Sequence, residues 1–261
     1  MRIALGIEYE GWNYAGFQRQ PNHKTVQGEL ERALSEIADE KIELQCAGRT
    51  DAGVNATGQV VHFDVTKDRS DRAWVLGTNT KLPADIAVTW SRHVDEEFHA
   101  RFSARARRYR YILQNTLHRA GILSNGVSVY HGDYDIDRMH QAAQLLIGEN
   151  DFASFKAADD QSRTSMRCVH FIEVKRYGPF IVFDIAANAF LNHMVRNIVG
   201  SLLPVGSGAK SIEWFEEAFL AKDRSKAGPT ALPNGLYLID VTYPLEFGLP
   251  RREFMGPIWL P

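Results

Sequence analysis

The run Ala104 to Asn115, ARARRYRYILQN, most narrows what this chain can become. It alternates like a long strand, so Arg105, Arg107, Tyr109 and Tyr111 share one face while Arg108 and Arg110 share the other. A guanidinium withdrawn from water needs compensation, and two arginine-bearing faces cannot both be apolar core. Five arginines, 101, 105, 107, 108 and 110, fall within ten residues although the whole chain carries a formal charge of -2. Such a patch suits a polyanion held at a local site, without general adhesion to nucleic acid.

Around this strand the chain reads as an α+β protein. Arg2 to Tyr9 alternates as a strand, and Thr25 caps a helix to Ala38 with Val26, Leu30, Ala33, Leu34 and Ile37 on one face. Ile42 to Cys46 and Gly58 to Val65 read as strands, Ser70 to Thr80 as a short helix and Ile86 to Val94 as a further strand. Ala120 to Tyr134 is expected to be a crossover between halves. Beyond it Asp135 caps a helix with Ile136, Met139, Ala143 and Leu146 aligned. Val169 to Arg176 and Phe180 to Ala187 form a hairpin across Tyr177-Gly178-Pro179. A helix is expected over Phe190 to Leu203, stopped by Pro204, then another over Ser211 to Ala221 and a last strand over Gly235 to Tyr243. The order implies two halves, 1–104 and 105–261, with the strand 104–115 shared at an approximate boundary. Each half is expected to be an antiparallel or mixed sheet with helices on one face.

No apolar stretch approaches 18 residues, and the first residues alternate instead of forming a leader, so a cytoplasmic protein without membrane spans is expected. Cys46 and Cys168 lack metal-ligand spacing and suit a reducing compartment. Phosphate-cradling loops, dinucleotide fingerprints, H-E-x-x-H and G-x-S-x-G patterns do not occur in the sequence, so neither a nucleotide cofactor nor a metal is expected.

A carboxylate is then the best candidate for chemistry. In Ala47-Gly48-Arg49-Thr50-Asp51-Ala52-Gly53-Val54 the two glycines let Asp51 sit on a tight exposed turn; the commoner role of such an aspartate is bonding its own backbone. Arg196, within an apolar helical run, either snorkels to solvent or pairs with an anion such as Asp51, keeping it ionised and oriented as a nucleophile requires. Tyr109, flanked by arginines, either packs beside Tyr111 or stacks a base while Arg107 and Arg110 hold phosphates. Arg49 is either a solvated turn residue or a wedge filling the space left by an extruded nucleotide.

Several ordered segments together resemble the bacterial tRNA pseudouridine synthase A family. They are Gly48-Arg49-Thr50-Asp51-Ala52-Gly53-Val54, Phe98-His99-Ala100-Arg101-Phe102-Ser103-Ala104 with Arg107-Arg108-Tyr109-Arg110-Tyr111, Gln161-Ser162-Arg163-Thr164, and Phe190-Leu191-Asn192-His193-Met194-Val195-Arg196-Asn197-Ile198. Tyr14-Ala15-Gly16-Phe17-Gln18, Thr25-Val26-Gln27, Leu82-Pro83-Ala84-Asp85 and Gly235-Leu236-Tyr237-Leu238 extend the resemblance nearly end to end.

The resemblance implies an α+β fold of two related halves with an active-site cleft between them, a homodimer, and no cofactor. It implies conversion of uridine to pseudouridine at positions 38, 39 and 40 of the tRNA anticodon arm. Asp51 then matches the essential aspartate, Tyr109 the ring stacked on the target base, Arg196 the partner of the aspartate, Arg49 the base-extruding arginine and Leu236 an apolar pocket residue. Two other readings compete: a noncatalytic RNA-binding module, and a carboxylate-dependent nucleoside hydrolase, which needs a second acid that no residue beside Asp51 supplies.

Overall fold

The computed structural model describes residues 1–250 and divides the chain into two compact units. The first comprises Met1–Arg105 and the described chain from Tyr237 on; the second is Ala106–Leu236.

In the first unit, β1 (Arg2–Tyr9) lies between β4 (Ile86–Val94) and β3 (Asn55–Asp64), antiparallel to both. β10 (Leu236–Thr242) runs parallel to β3, with Tyr237 opposite Asn55 and Leu238 opposite Ala56. The sheet is apolar where covered: Ile3, Leu5 and Ile7 of β1 and Val61 and Phe63 of β3 are all buried. α1 (Val26–Ala38) begins where Thr25 accepts from the Gly28 N–H, and it buries Val26, Leu30, Ala33 and Leu34 at helical spacing. A short wide helical turn, Ala73–Gly77, sets the buried Trp74 edge-on to Phe63 at 5.2 Å.

The strand expected over Ile42 to Cys46 shrinks to β2 (Gln45–Cys46), paired with β3. Its upstream part is tied to α1 instead: the Ile42 N–H donates to Ser35 Oγ at 2.9 Å and the Leu44 N–H to Glu31 Oε1 at 3.1 Å. Those donors are satisfied without a ladder.

In the second unit β5 (Ala106–Asn115) pairs antiparallel with β9 (Phe180–Ala187), β9 with β8 (Met166–Tyr177), and β8 with β7 (Gly148–Asp151). β6 (Ser128–Tyr130) adds parallel to β5 inside the segment expected to be only a crossover. β6 and β7 are three and four residues long, and β7 has no apolar alternation, so neither carries a strand signal.

α2 (Ile136–Gln144) starts at Asp135, which accepts from the Arg138 N–H at 3.0 Å. It lies on β8, where the Gln144 side chain donates to the Ile172 carbonyl. α4 (Ile212–Leu220) is capped by Ser211, and its Phe215 and Phe219 both stack on Phe155 at 5.8 Å.

α3 (Met194–Gly206) departs from the expected Phe190 to Leu203 at both ends. Asn192 is held by Asp160, its carbonyl accepts from the Ala157 N–H, and His193 is left-handed at φ 61°, so the helix cannot begin earlier. Pro204 lies inside the last turn, where it forgoes the N–H bond to the Gly200 carbonyl, and the helix nonetheless continues to Gly206.

Candidate active site

Asp51 stands at the start of a turn closed by the Val54 N–H on the Asp51 carbonyl at 3.1 Å. Gly53, third in that turn, has φ 78°, which a side chain would resist. Asp51 is half-buried and its neighbours Arg49 and Ala52 are exposed.

The turn is clamped from beneath by groups in the same unit. The Ala47 N–H donates to the Val60 carbonyl at 2.8 Å. Gln59 is 0% exposed, and its amide mimics a strand partner: Nε2 donates to the Gly48 carbonyl at 2.6 Å, and Oε1 accepts from the Gly48 N–H at 3.3 Å. The buried Thr50 shares a hydrogen bond with the Tyr9 hydroxyl at 2.8 Å, and its carbonyl accepts from the Phe17 N–H at 3.0 Å. The loop 10–17 closes over the turn so tightly that a Cβ at Gly16 would stand 2.8 Å from the Thr50 carbonyl oxygen. Asn55, also buried, accepts from the Gly11 N–H and ties the same loop to β3. The backbone that carries Asp51 is thus held in place before any ligand arrives.

Charge is concentrated next to the mount. Burial pushes the Cys46 thiol up to about 11, while the charges of Arg49 and Arg101 pull the other way. Both guanidinium groups therefore act on the strand that leads into the Asp51 turn.

The second unit positions the remaining expected residues. Tyr109, 8% exposed, lies on β5 opposite Ile185, with the Phe190 ring edge-on at 4.9 Å. Arg196 is the third residue of α3; its Nε donates to the Ala231 carbonyl at 2.8 Å, and its own carbonyl accepts from the Ala231 N–H. Burial, reinforced by Tyr130, raises the Tyr111 phenol far above its ordinary range, and Arg196 opposes that rise. The start of α3 and the Tyr109–Tyr111 face of β5 are thus neighbours. Leu236 is buried at the start of β10, its N–H on the Pro233 carbonyl at 2.9 Å.

The five arginines do not make one surface. Arg101 and Arg105 are exposed and Arg107 is half-buried, its Nη1 on the Asn188 carbonyl at 3.0 Å. Arg110 is 9% exposed and shares the carboxylate of Asp184 with Arg108, at 2.9 Å and 2.6 Å. The expectation that the two faces of this strand could not both be packed therefore fails at Arg110, because the facing strand supplies an anion for it.

Gln59, Tyr9, Thr50 and Asn55 are positioning groups that sequence reasoning missed. A signal was present for one of them: in Gly58 to Val65, Gln59 shares a strand face with Val61 and Phe63. A lone amide on an apolar face needs a buried partner.

The sequence pattern of the family described as tRNA pseudouridine synthase matches residues 6–103 and 142–244. A tRNA pseudouridine synthase A from Shewanella amazonensis is 60% identical over 261 residues, covering 100% of both chains. One from Aeromonas hydrophila is 59% identical over 100% of this chain and 97% of its own, and one from Shewanella baltica 58% over 100% and 99%. Among solved structures, a Cbf5-Nop10-Gar1 complex aligns with 77% of this chain and 45% of that chain, at 14% identity and a TM-score of 0.38. That last likeness is too slight to argue from. The chain belongs to the tRNA pseudouridine synthase family and is an isomerase. Neither a noncatalytic RNA-binding module nor a nucleoside hydrolase is favoured by these relatives. No helix among the described residues is long and apolar enough to cross a membrane.

Proposed function

We propose that this enzyme converts uridine to pseudouridine at positions 38, 39 and 40 of the tRNA anticodon arm, with Asp51 as the nucleophile. The N1–C1′ bond breaks, the detached uracil turns, C5 joins C1′, and the C5 proton leaves while N1 gains one. Nothing is oxidised, so the reaction calls for no cofactor. Asp51 serves it by attack on C1′, by attack on C6, or by assisting elimination to a glycal. Tyr109 stacks on the base and relays the C5 proton. Arg196 supplies the cationic group of the reaction site. Arg49 wedges into the stack vacated by the extruded nucleotide, and Leu236 gives the pocket an apolar wall.

Arg107 takes a phosphate; Arg110, enclosed with Asp184, supports β5 rather than gripping RNA. The enzyme acts as a homodimer in the cytoplasm.

The observation that carries this reading is the mount of Asp51: a half-exposed carboxylate on a turn held by Gln59, Tyr9 and Phe17, in a chain of this family. The test uses an unmodified tRNA transcript labelled at C5 of uridine. Asp51→Asn is expected to bind tRNA with unchanged affinity and release no label; normal label release by the variant refutes Asp51 as the nucleophile.

A further inference from the structure

Beyond the Asp51 turn, the first unit displays a second preformed feature, the loop from His99 to Ser103. Its base is a buried aromatic anchor: Phe98 is 0% exposed, with the rings of Tyr243 and Phe247 at 5.1 and 5.2 Å and that of His62 at 5.9 Å. Every turn of the loop is tied down. The Ala100 N–H donates to Nδ1 of the buried His62, and its carbonyl accepts from the Tyr243 hydroxyl. Nδ1 of His99 accepts from both the Arg101 and Phe102 N–H groups, and His99 and Ser103 exchange two further bonds.

Yet this rigid loop ends in a phenyl ring that is 76% exposed. The Phe102 ring lies tilted by 34° against His99 with centres 4.3 Å apart, and the Arg101 guanidinium stands 5.7 Å from its centre. An apolar side chain held open to water gains little from burial on folding. Its position adds direction: His62 lies opposite Gln45 in β2, the strand leading into the Asp51 turn, and Arg101 and Arg49 act together on Cys46.

We infer that the loop His99 to Ser103 is a second RNA contact, in which Phe102 stacks on an unpaired base of the tRNA substrate and Arg101 holds an adjoining phosphate. The inference rests on the reading of the protein as a tRNA-modifying enzyme and adds a binding surface to it. A ring backed by His99 and flanked by a cation is preorganised for a base face, which every nucleotide offers whatever its sequence.

The experiment measures tRNA affinity by fluorescence anisotropy at several salt concentrations, and label release at saturating tRNA. Phe102→Ala is expected to raise Kd about 5- to 100-fold with no change in salt slope, while Phe102→Tyr keeps the affinity. Arg101→Gln is expected to flatten the salt slope by about one charge. At saturating tRNA, kcat stays near that of the unaltered protein in all three. The inference is overturned if Phe102→Ala binds tRNA normally. It is also overturned if light scattering shows that this substitution dissociates an oligomer of the free protein, which would make Phe102 a contact between copies. Failure of the parent reading is seen separately, as absent label release from the unaltered enzyme.

Discussion

Replacing Gln59 by leucine tests whether the mount beneath Asp51 matters to catalysis. Gln59 is completely enclosed, so the substitution keeps the volume and removes only the amide. Two hydrogen bonds to Gly48 are lost, at 2.6 and 3.3 Å. Each backbone group left buried without a partner costs about 1–3 kcal/mol, and because Gly48 is half-buried water recovers part of this. A loss of about 3 kcal/mol follows, equivalent to a fall in Tm of roughly 6–12 °C for a chain of this size. The functional effect is expected to be larger than the stability effect suggests, since an ångström of misplacement at a reacting group can cost about 100-fold in rate. Label release at saturating tRNA, measured well below Tm, is expected to drop about 10- to 100-fold in kcat with KM nearly unchanged, because Gln59 reaches no solvent. A lowered Tm with full kcat would refute the link between the Gly48 clamp and Asp51.

Two further outcomes follow from the charges. Burial, with His99 and Arg2 adding and Asp64 opposing, lowers His62 to about 4 from its ordinary 6.5. The folded state thus refuses a proton that the unfolded chain accepts, so stability is complete above about 6.5 and declines as pH falls from there towards 4. The full shift is worth about 2 kcal/mol between pH 7 and 5, and screening beside the half-exposed His99 reduces the expectation to about 1 kcal/mol; His62→Asn should flatten that slope in denaturant titrations, and an unaltered slope refutes the assignment. For the arginine strand, Arg107→Gln is expected to reduce the salt dependence of tRNA binding by about one charge, whereas Arg110→Gln should chiefly lower Tm by leaving Asp184 under-neutralised. A salt slope that changes only in the Arg110 variant would reverse these roles.

Much of the secondary structure is legible in the letters because the forces that form it act within a few residues. Thr25, Asp135 and Ser211 each cap a helix by accepting an N–H three residues on, and Gly178-Pro179 closes the β8–β9 hairpin between the paired Tyr177 and Phe180. The Asp51 turn is legible for the same reason, since Gly53 can take the positive φ that the turn requires.

What lies beyond the sequence is whatever depends on partners far along the chain. Arg110 is buried because Asp184 faces it from a strand 74 positions away, an anion that the alternation along β5 could not locate. The start of α3 is set by Asp160 holding Asn192, the length of β2 by side chains of α1, and the return of β10 to β3 by a parallel register that no local signal announces. The sequence by itself determined where a carboxylate could stand on a turn; only the tertiary structure decided that Gln59, Tyr9 and Phe17 would hold it still, because a hydrogen bond across a sheet is specified by register and not by adjacency.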